Sequence, residues 1–592
     1  MDPYQDPNAG FGRPQTEPVP QGTIVPVGDE WAPGVHPVVV SPRSRRLRWG
    51  IAGAVVLCVT LVTAGGVFVL SGAAGAKSLT ASVAPKNAIA FLEVRTDLPG
   101  DQHAKLADFM SHFPGFQDRS QFDNALDNVL NRLTAAVSPG LQYTSAFKPW
   151  MEGEVSLVGI PTAAGIIGDT MLGQGLDVGG VAIVALKDRA AAETWVSGEM
   201  ASLGVKTSSQ AYAGNTVYRT GSATDAGAYA FTDQDLLMGT VAGVEAALDT
   251  KTKGSLADNT NYQAAMTSIS GDSLARFYFD PKSLLGPGMS ASSLMGSMMG
   301  AGGASLGMLG SSAAALPAWI AGSVQAQSSD LVVDVAMPRP AGSTTGDDNH
   351  VSRLAPVLPG DTVGAFEIHS IGKSISAGIA SIKSALPSGS ADQVKTIDSA
   401  LALIGGVDWL GDATAVVTQD GSRFGGGVVV EATDATTART KVALITNYAT
   451  LASGALKITN RSETYKGVDI TVMSIPNGTG SPIEIAVGAK DNLILAGYTD
   501  LFVKSVIDTT PATALAAQPD YQAVVSAAGS SNEQSMYVNI PALEDQIGKA
   551  VLQSSSSRWT TDYKPYFDHL GGMGYSVVGG NTVILRFVVT AK

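Results

Sequence analysis

Two short stretches of this chain place a serine one helical turn before a lysine, Ser145 with Lys148 and Ser370 with Lys373. In that Ser-x-x-Lys spacing an unprotonated lysine can take the hydroxyl proton and turn the serine into a nucleophile for acyl transfer. The companion motifs Ser-Asp-Asn and Lys-Thr-Gly are absent from the sequence, which argues against a penicillin-binding type of site. Asp347, Asp348 and Asn349 offer oxygen atoms to a calcium ion, but a calcium loop alternates its ligands and closes on a glutamate, so a solvated linker fits them better. Glu93 and Glu367 are candidates for paired acid and base roles, although they close two similar strands, and such recurrence points to a structural position. The histidines, His36, His103, His112, His350, His369 and His569, show no metal-ligand spacing and read as surface residues. Gly-x-Ser-x-Gly, His-Glu-x-x-His and the phosphate-cradling Gly-x-x-x-x-Gly-Lys-Ser/Thr do not occur. No catalytic residue, cofactor site or metal ligand is therefore assigned, no cofactor is expected, and the chain reads as a protein without enzymatic activity.

The elements that would position these residues come in duplicate. PKNAIAFLEV from Pro85 is answered by PGDTVGAFEI from Pro359, and each ends on an apolar residue, a glutamate and a β-branched residue. Trp150 with Gly153 and Glu154 is answered by Trp409 with Gly411 and Asp412, and LADNTNYQA from Leu256 by LAAQPDYQA from Leu515. The repeat predicts that Tyr262 and Tyr521 occupy equivalent, mostly buried positions. LVVDVAM from Leu331 matches VILRFVV from Val583, so the expected units are 79–340 and 354–592, joined by a polar linker at 341–353. Within each unit, runs such as GGVAIVAL and GGGVVVEA precede helical patterns capped by Asp188 and Asp434, and strand pairs turn at Ala213–Asn215 and Lys466–Gly467. The expected class is α+β, two homologous units of mainly antiparallel sheet with helices covering one face. The opening strand, the LADFMSHFPGF helix, the Trp-x-x-Gly-acid element and the Leu-Ala…Tyr boxes resemble the uncharacterised bacterial domain-of-unknown-function family 3352. The resemblance implies an envelope location and this fold, and it carries no catalytic or binding residue to transfer.

Trp49–Leu70 is an apolar run free of charge, and at 1.5 Å per residue it is long enough to cross a bilayer core of about 30 Å. Arg43, Arg45, Arg46 and Arg48 stand just before it, and the first basic residue after it is Lys77, so the N-terminus is expected in the cytoplasm and the bulk of the chain outside. The run exceeds a signal-peptide core, which favours an uncleaved anchor followed by a short linker at 71–78. Residues 1–48 hold nine prolines and little periodic apolar pattern, and are expected to be a disordered tail, with a cytoplasmic partner as one use. The net charge of −14 falls entirely beyond the anchor, since the tail's five acids balance its five arginines; such a surface repels nucleic acid. The one cysteine, Cys58, lies in the anchor, so the outer part has no disulfide or thiolate chemistry.

One segment of this exported portion is unusual. From Ser283 to Ser329, 47 residues pass without an acid, a base or a histidine. Leu294, Met295, Met298 and Met299 would share one helical face there, an adaptable apolar strip, whereas the corresponding stretch of the second unit carries charge. The sequence thus reads as a membrane-anchored binding or scaffold protein of the bacterial envelope, with lipid-like molecules or envelope proteins as ligands. The competing readings are a hydrolase without a local motif and a sensor coupling the outer units to the tail.

Overall fold

Strand sequences such as GGVAIVAL show no alternation of apolar with polar residues, the pattern of a sheet buried on both faces. The computed structural model describes residues 78–592 apart from 99, 139, 162–178, 222–226, 270, 284–315, 340–347, 386–390, 404, 421–422, 478–479, 545–559 and 562–563. The tail, the apolar run 49–70 and the strip residues Leu294, Met295, Met298 and Met299 therefore lie outside the described residues. Among the described residues no helix is long and apolar enough to cross a membrane.

The first half of the chain forms β1 (Ala90–Arg95), β2 (Met151–Ile160), β3 (Gly179–Leu186), β4 (Thr207–Tyr212), β5 (Asn215–Thr220), β6 (Gly227–Phe231), β7 (Asp235–Thr240), β8 (Ala275–Phe279), β9 (Ile320–Ala326) and β10 (Asp330–Pro338). The second forms β11 (His350–Val351), β12 (Thr362–Ile368), β13 (Leu410–Asp420), β14 (Arg423–Ala432), β15 (Thr459–Tyr465), β16 (Val468–Ile475), β17 (Ile483–Lys490), β18 (Leu493–Tyr498), β19 (Ser531–Asn532), β20 (Gln534–Asn539), β21 (Leu570–Val578) and β22 (Thr582–Ala591). Apart from the small β11–β19 pair, these strands make one antiparallel sheet of 20 strands. Its first half runs, edge to centre, β4, β5, β6, β7, β3, β2, β1, β8, β9, β10. Its second half runs, edge to centre, β15, β16, β17, β18, β14, β13, β12, β20, β21, β22. The connectivity is the same in both halves.

The seam is the pairing of β10 with β22, from Asp330 opposite Thr590 to Pro338 opposite Thr582. At its middle Asp334 meets Arg586 in a forked ion pair, with Nε to Oδ1 at 2.7 Å and Nη2 to Oδ2 at 2.9 Å. Strand centre meets strand centre, as in the self-complementary contact of a twofold dimer, but within one chain. The outer edges, β4 and β15, are polar and exposed (TSSQAY and TNRSETY), which discourages edge-to-edge pairing with other chains.

Local chemistry explains the joints. Ala213 and Gly214, like Lys466 and Gly467, have positive φ at both turn positions, the tight hairpin geometry that matches strand twist. Asp188 accepts from the Ala191 amide to start the helix Arg189–Ser202, and Asp434 accepts from Thr436 and Thr437 to start Ala435–Leu456, as their positions in the sequence suggest.

Helices cover both faces of the sheet in the first half, not one face as expected. On one face Ile183, Leu237 and Val217 pack against Val244, Ala247 and Tyr262. On the other, Leu157, Val184, Leu236 and Phe231 pack beneath Phe109, Leu126, Leu130, Trp150 and Val196 from helices Gln102–Met110, Phe122–Val137 and Arg189–Ser202 and the turn before β2. A large side chain taken out of water contributes about 1.5–3 kcal/mol, so this double burial is the main support of the first half. In the second half the first face is sealed in the same way, with Val416, Val429 and Leu495 under Phe502, Val506 and Val524. On the second face, helix Ala435–Leu456 packs over β14, β16, β17 and β18 around Val430, Ala489 and Ile494, and helix Ile371–Ala385 packs against β13, leaving part of that face uncovered.

Candidate functional site

Two buried polar nests stand at corresponding places, one in each half, and together they gather Glu93, Asp348, His350, Glu367, His369 and Ser370. The nest of the first half forms where β1 meets β2. Arg95 pairs across the strands with Glu154, and Glu93 with Ser156. Glu154, 1% exposed, accepts through Oε1 from Ser78 Oγ at 2.9 Å, the Thr80 amide at 2.8 Å and Thr80 Oγ1 at 2.6 Å. Its Oε2 takes the Leu79 amide at 3.1 Å and lies 3.3 Å from Arg95 Nη1. Through these bonds Glu154 caps the turn Thr80–Ser82, which clamps the start of the described chain to the sheet. Glu93 beside it is buried with Oε2 unpartnered, and burial first, then the Glu154 charge, push its carboxyl up to about 7 despite Ser78, Arg276 and Arg95.

The nest of the second half forms where β12 meets β13. Glu367 pairs with Thr414, and one step past the last pair, Ile368 with Ala413, stand His369 and Asp412, in the register held by Arg95 and Glu154. Ser352 Oγ donates to Glu367 Oε2 at 2.6 Å and receives the Ala355 amide, much as Ser78 receives that of Ala81. Asp412 is fully buried, accepting from the Ser370 amide at 2.9 Å and contacting His350 Nε2 at 2.8 Å. His350 Nδ1 meets the Asp348 carbonyl at 2.9 Å, and His369 Nδ1 meets the Asn532 carbonyl at 2.6 Å. The two imidazoles stack with centroids 4.0 Å apart and planes 20° apart. His369 Nε2 lies 3.3 Å from Glu367 Oε1, yet neither atom has a hydrogen-bond partner. Burial works against protonation of His369, but Glu367, Asp412 and the Asn532 carbonyl outweigh it and raise its affinity for a proton.

The sequence-predicted candidates sort as follows. Ser370 Oγ and Lys373 Nζ both bond Asp348 Oδ2, at 2.5 and 2.6 Å, so the pair serves to hold an aspartate whose carboxyl is lowered to about 2 by Lys373 and Ser370. Lys148 turns instead to Asp127 at 2.6 Å, and Ser145 to the Gln142 carbonyl. Glu93 and Glu367 belong to separate nests and do not form an acid and base pair. Tyr262 and Tyr521 are 6% and 9% exposed, buried as their shared spacing suggests, and burial first, then the charge of Glu93 or Glu367, pushes each phenol up. His103 sits on the surface against Asp123, but His369, at 3% exposure, corrects the surface reading of the histidines. Its polar sequence neighbours Ser370 and Lys373 say nothing of the turn that folds them over it. The end of the 341–353 linker is also tied down, through β11 pairing with β19.

A cavity of about 20 Å³ adjoins the second nest, lined by Glu367, Tyr521, Asn532, Ser535, Tyr537 and Tyr575. That is room for a single water molecule and not for a substrate.

Fold and nests together define an α+β protein organised on one large antiparallel sheet, whose buried charges tie distant segments of the chain together. The chain belongs to the protein family of unknown function DUF3352, whose model matches residues 51–577. No curated protein and no solved structure matches it.

Proposed function

We propose that this chain is a membrane-anchored, extracytoplasmic binding or scaffold protein of the bacterial cell envelope, built from two homologous units and without catalytic activity of its own. The observation that carries the reading is the second sheet face of the second half. Val417, Phe424, Val428, Tyr498, Met573 and Phe587 share that face by strand register, and each is between 38% and 56% exposed. Large apolar side chains left exposed on one sheet face suit an interaction site for a lipid-like molecule or an envelope protein. The first nest supports a non-enzymatic role, because Glu154 spends its hydrogen bonds on the chain itself. Duplication is supported by the shared strand order and by matched details such as the isolated bridges of Pro85 with Ser255 and Pro359 with Ala514. Anchoring rests on the apolar run 49–70, inside which the family match begins. An anchor entering at Ser78 would be held firmly to the sheet by Glu154.

The test is mass spectrometry of lipids and proteins that co-purify with the full chain from membranes. An apolar ligand retained by the wild type and lost from a Val428→Asp, Phe587→Asp variant of unchanged melting temperature is the expected result. Equal retention by both proteins would remove the face from the argument. Protease added to intact protoplasts should digest both halves; protection of residues beyond Lys77 would reverse the topology.

A further inference from the structure

We propose that the second nest is a divalent-cation site whose ligands are His350, His369, Asp412 and Glu367. A backbone carbonyl only accepts hydrogen bonds, so the contacts of Asp348 and Asn532 make both Nδ1 atoms donors. In the neutral imidazoles both Nε2 atoms are then bare lone pairs. One faces Asp412 Oδ2 at 2.8 Å, and the other faces Glu367 Oε1 at 3.3 Å. Lone pair against lone pair is repulsive, so a proton or a metal ion must stand between each nitrogen and its oxygen. Ligand atoms of His350, His369 and Asp412 lie within 4.8 Å of one another, so a small movement brings them to the at most about 4.2 Å that two ligands on one ion can span. His369 Nε2 and Glu367 Oε1 are buried atoms without hydrogen-bond partners. Histidines whose far nitrogen donates to a carbonyl are the usual arrangement around a bound metal, because that bond fixes the tautomer and aims the ligand.

The alternative source of charge is a proton on each ring, which would stack two imidazolium ions 4.0 Å apart in a buried place, a repulsive arrangement. The first half shows what the position requires. There the cation is built in: Arg95 occupies the register of His369 and reaches Glu154, the counterpart of Asp412. The second half keeps both carboxylates but replaces the guanidinium by an imidazole. Nitrogen and carboxylate donors without thiolate suit Zn²⁺ and its neighbours in the first transition row. As stacked, the two Nε2 lone pairs run side by side, and one ring must swing out of the stack to converge on an ion. His350, on the two-residue strand β11 and the less buried of the two, is the ring with room to do so.

The full chain, stripped with chelator and equilibrated with Zn²⁺ or with Co²⁺ as a coloured probe, should bind one ion, read by elemental analysis and by the visible band of bound Co²⁺. His350→Ala should weaken binding by at least about tenfold, the scale on which disturbing a metal's surroundings is felt. His369→Arg copies the first half, and it should abolish binding while the protein stays folded. A wild type that stays metal-free, or binding that survives both variants, overturns the site. Should His369→Arg fail to fold, His350→Ala alone decides, since it leaves the buried ring in place.

Discussion

Position for position, the two nests solve one problem in different ways. Each half buries two carboxylates at the meeting of its central strands, Glu93 with Glu154 and Glu367 with Asp412. The first half answers with Arg95, a cation that cannot lose its charge, forked onto Asp97 and reaching Glu154. The second answers with two imidazoles, whose charge depends on what they bind. A permanent ion pair makes the first nest a fixture, and the exchangeable charge of the second leaves it open to a ligand. The same contrast holds on a larger scale. The sheet face roofed by three helices in the first half is partly bare in the second, so both the exchangeable charge and the exposed apolar surface belong to one half.

The sharpest way to break this comparison is to remove the fixed cation. Arg95→Met leaves the Glu154 carboxylate buried without its countercharge, and should cost about 3–5 kcal/mol. His369→Gln, measured in chelator, removes a group that was not the permanent partner of its carboxylates and should cost about 1–2 kcal/mol, the scale of lost buried hydrogen bonds. Urea denaturation of the two variants side by side gives the answer. Equal losses would mean that the nests are held in the same way.

A smaller effect follows from Glu93. Its carboxyl is raised to about 7 in the folded chain, above its ordinary value of 4.5, so the folded state holds that proton more tightly than the unfolded one. The resulting stability is complete below about 4.5 and is lost as the pH rises through about 7. Glu93→Gln mimics the protonated form. It should match the wild type near pH 4.5 and exceed it above pH 7 by on the order of 3 kcal/mol, measured as a difference in urea midpoints. A variant no more stable than the wild type at the higher pH would show that Glu93 is not strained by its burial.

Much of this was legible in the residues. The Pro85 and Pro359 strands, the Trp150 and Trp409 elements, the capping aspartates, the hairpin turns and the paired tyrosines all stand where their spacing places them, because each is set by neighbours in sequence. The second nest was not legible as a unit. Asp348 read as a linker acid, Ser370 with Lys373 as a weak nucleophile pattern, and His350 and His369 as surface residues. What unites them is the pairing of β11 with β19, a contact between residues far apart in the chain and too short to leave a periodic signal. The sheet face bare in one half and roofed in the other was hidden for a different reason. GGVAIVAL and GGGVVVEA both carry an apolar run at their centres, and whether a helix covers a strand depends on how its loops deliver it.

That unequal roofing yields the last and smallest expected effect. Leu236 on β7 and Val428 on β14 lie on the same face of the continuous sheet, Leu236 fully buried and Val428 41% exposed. Leu236→Asp would bury an unpaired carboxylate beneath the helices of the first half and should cost several kcal/mol, a large share of a typical stability of about 5–15 kcal/mol. Val428→Asp puts the same charge where water already reaches, and should change stability by no more than about 0.5 kcal/mol. Thermal melting of the two variants checks both, and the informative outcome is the second. If Val428→Asp destabilises the chain as much as Leu236→Asp, the face is covered in solution and the difference between the halves disappears. If it does not, a surface that tolerates a charge without harm to the fold is kept apolar for something the fold itself does not require, which is what an interaction face demands.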